Sequence, residues 1–105
     1  MTAYQQLAAL ADPTRLAILE RLALGPSAVS ALARHFPVSR PAVSQHLRVL
    51  KDVGLVRDRA AGNRRIYELD AAGVAVLRTY FDRFWSRALD AFAAAADRAS
   101  EGASS

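Results

Sequence analysis

Apolar residues fall along this chain in five stretches of helical period and one of alternating period. Tyr4, Leu7, Ala8 and Ala11 recur at the three- and four-residue spacing that aligns side chains on one helix face. This first helix should end at Ala11 or Asp12, because the residue before Pro13 is pushed out of helical geometry. Asp12 then caps a second helix with Pro13 in its first position. Leu16, Ile18, Leu19, Leu22 and Ala23 give it a broad buried face up to the Gly25-Pro26 break. Ser27 is placed to cap a third helix, in which Val29, Leu32, Ala33 and Phe36 keep the spacing until Pro37 stops it.

Only Pro37 and Val38 separate Phe36 from the next cap, Ser39. The helix over residues 39–53 carries Val43, Leu47 and Leu50 as one apolar stripe, with Val53 a turn further on. Pro41 costs little in a first turn whose N–H groups have no intrahelical acceptor, and Gly54 supplies a left-handed stop. Two helices joined by so short a turn meet at a steep angle, which is the geometry of a helix-turn-helix. The outer side of the second helix holds Arg40, Ser44, Gln45, Arg48 and Lys51. Such a face is either ordinary solvated surface or the equipment for reading base edges and gripping phosphates.

After Gly54 the period changes. Residues 55–60 and 64–69 flank Ala61-Gly62-Asn63, and Tyr67 and Leu69 alternate with Ile66 and Glu68, as a short antiparallel hairpin requires. Its tip carries Arg59, Asn63, Arg64 and Arg65, a wing suited to a minor groove or flanking phosphates. Asp70 caps a last helix running to about Ala96. Leu77, Phe81, Phe84, Ala88 and Phe92 form its stripe, and Trp85 and Leu89 widen it. At about 40 Å this helix exceeds the ~30 Å diameter of a small domain, so part of it needs a partner. A second copy, helped by Tyr4 and Leu7, would cover the aromatics; an ordinary core helix, or an apolar inducer pocket lined by Trp85 and the phenylalanines, are the other readings. The fold class expected is mainly α with a small β-hairpin: a winged helix-turn-helix of five helices plus a two-stranded wing. Residues 1–99 form that single domain, with a flexible tail at 100–105.

Composition narrows the function. The 105 residues suffice for one small core, and although 52% are hydrophobic, no apolar run approaches the ~20 residues of a membrane span. The N-terminus lacks the basic start and cleavage site of a signal peptide, so a cytoplasmic protein with no membrane attachment is expected. The absence of cysteine excludes disulfides, thiolate metal sites and cysteine nucleophiles. His35 and His46 lie on different helices with no suitably spaced carboxylate, so no metal site is expected. His46 falls between the outer face and the apolar stripe of its helix, which favours a packed histidine bonded to backbone or to one phosphate over one that reads a base. The net charge of +4 is uneven: Arg34, Arg40, Arg48, Lys51, Arg57, Arg59, Arg64 and Arg65 face only Asp52 and Asp58, whereas acids outnumber arginines from Ile66 onward. A basic middle is the footprint of a polyanion-binding face. It argues against the alternative of a winged-helix protein-interaction module that does not read DNA. No nucleophile elbow, glycine-rich phosphate loop or carboxylate pair beside a histidine is present, so neither an enzyme nor a cofactor is expected.

Ala11-Asp12-Pro13-Thr14-Arg15-Leu16 with Ile18-Leu19, then Ser39-Arg40-Pro41-Ala42-Val43-Ser44-Gln45-His46-Leu47, Leu50, Gly54-Leu55-Val56 and Gly62-Asn63-Arg64-Arg65-Ile66-Tyr67 together resemble the ArsR/SmtB family of prokaryotic winged-helix repressors. The likeness covers nearly the whole chain. It implies a homodimer that binds a palindromic double-stranded operator and blocks transcription, with residues 39–53 as the reader. By position, Arg40, Pro41, Ser44 and Gln45 would face bases, and Arg48, Asn63, Arg64 and Arg65 would hold the backbone or minor groove. Ser39 and His46 complete the DNA-facing set. The chain departs from metal-sensing members: it has no cysteine in the helix matched by residues 27–36, and no histidine on the last helix. The DNA-binding role carries over and the metal sensor does not; any small-molecule inducer is left without an assigned chemistry.

Overall fold

Capping side chains and prolines set the helix starts in the computed structural model, which describes residues 1–103. The first helix, α1 (Ala3–Ala9), opens on a capping box in which Thr2 and Gln5 each bond the other's backbone N–H. The Asp12 carboxylate caps α2 (Pro13–Leu22) by accepting from the Thr14 and Arg15 N–H groups at 2.8 and 3.1 Å. Ser39 Oγ caps α4 (Arg40–Asp52) by accepting from Ala42 N–H. Gly54, at φ +75°, ends that helix in the left-handed conformation.

Several expectations are corrected between these points. Ser27 does not cap the third helix: with Ala28 it forms a two-residue strand, β1 (Ser27–Ala28). The third helix, α3 (Val29–Ala33), stops before Phe36. The hairpin strands β2 (Val56–Ala61) and β3 (Arg64–Leu69) form the expected two-stranded wing, and β1 adds an unexpected third strand, making an antiparallel sheet of order β1-β3-β2. Ser27 pairs with Tyr67 and Ala28 with Ile66. Two residues are too few to print an alternating pattern, so the sequence carries no sign of β1. In α2, Leu16 and Ala23 are exposed and Ile18 and Leu22 alone are fully buried.

The core joins Ile18, Leu22, Leu32, Val43, Leu47, Leu50, Leu55 and Val56, one contribution or more from α2, α3, α4 and the base of the wing. The last helix, α5 (Ala71–Ala103), runs past the expected end near Ala96, so Ser100 to Ala103 are helical and not tail; Ser104 and Ser105, the rest of that expected tail, lie outside the described residues. At 33 residues α5 is about 50 Å long, and it stretches the molecule to 72 × 27 × 21 Å. The radius of gyration is 19.2 Å, where a compact chain of this length has roughly 13 Å.

Where α1, α4 and α5 meet, the inward face of α1 is not the expected Tyr4–Leu7–Ala8–Ala11 stripe. Gln6 and Ala9 are buried, and Tyr4, Ala8 and Ala11 are exposed. The Gln6 amide Nε2 donates to the Gly73 carbonyl at 2.8 Å and to the Val53 carbonyl at 3.2 Å. One fully buried side chain thus ties α1 to the first turn of α5 and the end of α4. Alongside it the backbones of Gly54 and Gly73 approach so closely that a Cβ on Gly73 would overlap the Gly54 carbonyl oxygen.

Gly73→Ala is therefore expected to cost about 1–3 kcal/mol and lower the melting temperature by at least about 4 °C. Gly102→Ala, whose added Cβ meets nothing within 4 Å, should leave it unchanged. Thermal melts followed by circular dichroism at one protein concentration check the pair.

Candidate nucleic-acid interface

One rotation of α4 decides what the site can contain. Val43, Leu47 and Leu50 are 0% exposed, so the opposite side of the helix is committed to solvent. Arg40, Pro41, Ser44, Gln45 and Arg48 are all exposed there, with Ser39 at the entry. His46 is half-buried on the flank and near enough to Asp12 to help lower its carboxyl pKa, although the Arg15 N–H bond is the larger cause.

The wing is aimed by its turn and its register. Gly62 at φ +64° opens a two-residue loop with Asn63, the arrangement of a type II′ hairpin turn. Opposite each other are Arg57 and Glu68, Asp58 and Tyr67, and Ala60 and Arg65. Asn63, Arg64 and Arg65 are exposed at the tip, and together with Arg40 they border a notch between wing and helix. The structure thus brings the first turn of α4 and the wing tip into one surface, which the sequence treated as separate elements.

Charge on this surface divides into compensated and free cations. The Asp58 side chain, 7% exposed, accepts from Lys51 Nζ at 2.7 Å and from Arg65 Nε at 2.8 Å, tying the last turn of α4 to the wing. Glu68 pairs with Arg57 at 3.0 Å and lies 3.9 Å from Arg59. Among the described residues, Arg34, Arg40, Arg48 and Arg64 have no acid within ion-pair distance. The bridging role of Asp58 is invisible in the sequence, because it depends on a hairpin register that sets residue 58 beside both 51 and 65.

The candidate interface between copies lies elsewhere. Tyr4 stacks edge-on against Tyr80 with ring centroids 5.6 Å apart. Phe81, Phe84, Trp85 and Phe92 are 40, 52, 58 and 74% exposed along α5, and Leu7 is half-buried. Leu77, expected with them, is half-buried and packs against the core. A groove of about 280 Å³ between Tyr4, Tyr80, Arg83, Phe84 and Arg87 opens beside the stripe. No group of three or more His, Asp or Glu among the described residues is arranged to hold a metal. No helix among them is long and apolar enough to cross a membrane.

Residues 10–59 match the family model described as a helix-turn-helix domain. The HTH-type transcriptional regulator Rv2034 of Mycobacterium tuberculosis is 67% identical over 85 residues, which are 81% of this chain and 79% of that protein. The arsenical resistance operon repressor of Staphylococcus xylosus is 41% identical over 64 residues, 61% of this chain and 62% of its own. Among solved structures, an ArsR-like transcriptional regulator from Rhodococcus sp. RHA1 superposes with a TM-score of 0.71 at 33% identity, covering 86% of this chain and 88% of that one. A possible transcriptional regulator for arsenical resistance reaches a TM-score of 0.73 at 49% identity, over 86% and 94%.

The carboxyl of Asp58 is held below the ordinary carboxylate value, chiefly by the hydrogen bond from Lys51; desolvation works the other way and Arg65 adds to the lowering. A depressed folded-state pKa contributes stability that is present above the unfolded value and lost as pH falls through the folded one. Asp58→Asn should accordingly be less stable than the parent near pH 7, with the gap closing below about pH 4. Urea unfolding across that range measures it.

Proposed function

The chain belongs to the ArsR family of helix-turn-helix transcriptional regulators, and on that footing we propose that it acts as a homodimeric repressor of a palindromic DNA operator. Each copy lays α4 in a major groove, the two reading helices sitting one helical turn, roughly 34 Å, apart. Ser44 and Gln45, central on the exposed face, meet base edges; the Gln45 amide both donates and accepts, as adenine recognition requires. Ser39, Arg40 and Pro41 stand at the entry to the groove, His46 on its flank and Arg48 further along. Asn63, Arg64 and Arg65 carry the wing onto the flanking backbone or minor groove.

The two copies pair through α1 and α5, with Tyr4, Leu7, Phe81, Phe84, Trp85 and Phe92 at the contact and Leu77 backing it. Aromatic side chains left this exposed on a helix longer than the domain that carries it support that pairing, since aromatics dominate interface energetics. Residues 1–99 make up the working unit, in the cytoplasm of a prokaryotic cell where its operator lies. The observation that carries the reading is the division of α4 into a fully buried apolar side and an exposed side whose arginines, Arg40 and Arg48, have no acid partner among the described residues.

Selection of bound sequences from random duplexes tests this directly. The parent should enrich a palindrome, and Gln45→Ala should relax one base position per half-site, worth about 1–3 kcal/mol of discrimination. An unchanged motif would refute the role given to Gln45. Trp85→Asp should weaken self-association by about 30-fold or more in sedimentation equilibrium and reduce operator affinity with it.

A further inference from the structure

Between the start of α3, the first residue of α4 and the wing tip lies a notch of about 200 Å³. Ala28, Val29, Ser30, Arg40, Asn63, Arg64 and Arg65 line it, and no carboxylate is among them. Arg40 and Arg64 line this hollow with uncompensated charge, and Arg65 borders it. Arg40 and Arg64 have no ion-pair partner among the described residues, and Arg65 is fixed through its Nε by Asp58. Cations gathered in a concavity with low-dielectric walls focus a positive potential on its mouth, and they repel one another until an anion enters. The volume decides the size of that anion: it falls below the ~300–1,000 Å³ of pockets for organic ligands, and the lining is donors rather than aromatic walls. A tetrahedral oxyanion fits both facts, with Ser30 and Asn63 able to add neutral donors.

We propose that this notch seats a single phosphate of the DNA backbone. The phosphate belongs to the strand that passes from the groove occupied by α4 to the wing, because the notch lies between those two elements. Arg40 then acts on the backbone and not on a base. Ser30, outside the reading helix and the wing, is a further DNA contact. The inference rests on the DNA-reading function proposed above and adds a division of labour to it: Gln45 carries sequence, and Arg40 with the wing tip carries position.

Methylphosphonate substitution, which neutralises one backbone phosphate at a time, locates the seat. At one phosphate per half-site, neutralisation should weaken the parent about tenfold and Arg40→Gln much less. Ser30→Ala should lose part of the same sensitivity. Arg40→Gln should lower the salt slope of binding by about 0.9 per half-site and leave the selected motif intact. Arg64→Gln, on an exposed wing tip, repeats the measurement in case Arg40→Gln disturbs the start of α4. The seat is refuted if Arg40→Gln changes the motif at an unchanged salt slope, or if parent and variant are equally sensitive at every phosphate. It is also refuted as a DNA contact if inorganic phosphate at constant ionic strength stabilises the parent while no methylphosphonate matters. A parent that selects no motif would instead sink the DNA-reading function itself, so the two failures are distinct.

Discussion

Burial of Val43, Leu47 and Leu50 is the constraint from which the surface chemistry follows. Each such side chain contributes about 1.5–3 kcal/mol when removed from water, so turning α4 by one residue would forfeit most of its seat in the core. The helix has one stable rotation. Arg40, Ser44, Gln45 and Arg48 are left outside because everything opposite them is spoken for, and their exposure needs no further stabilisation. The same core takes in Leu55 and Val56, where the chain leaves α4 for the sheet, so the wing leans on the cluster that orients the helix.

Elements with a period and a cap were legible in the sequence. Asp12 and Ser39 cap the helices expected of them, Gly54 stops α4 with the left-handed geometry assigned to it, and the α4 stripe is buried as its spacing requires. What escaped has a common cause. Strand β1, the buried Gln6 and the Ser30 side of the notch are each defined by residues far apart in the chain, and the Asp58 bridge by a hairpin register; none leaves a local pattern. The sequence presented Arg64 and Arg65 as equivalent tip arginines. Alternation along β3 sends neighbours to opposite faces, so one is held by Asp58 and the other is not.

Counter-charges sort the basic middle of the chain into two kinds. Lys51, Arg57, Arg59 and Arg65 serve the architecture through Asp58 and Glu68, and so add less to the outward field than their number suggests. Arg34, Arg40, Arg48 and Arg64 supply the field that a polyanion meets. A summed net charge of +4 therefore understates how local the attraction is.

The Gln6 amide makes a mechanical joint of the place where three helices converge. Its bonds of 2.8 and 3.2 Å already span the ordinary range for such contacts, which leaves a few tenths of an ångström of play before one of them breaks. That joint sits at the root of a shaft about 50 Å long, where a tilt of about five degrees displaces the far tip by roughly 4 Å. Leverage runs both ways: whatever grips the tip can wrench the joint with little travel to spare, and the end of α4, bonded through Val53, is the first thing that would feel it.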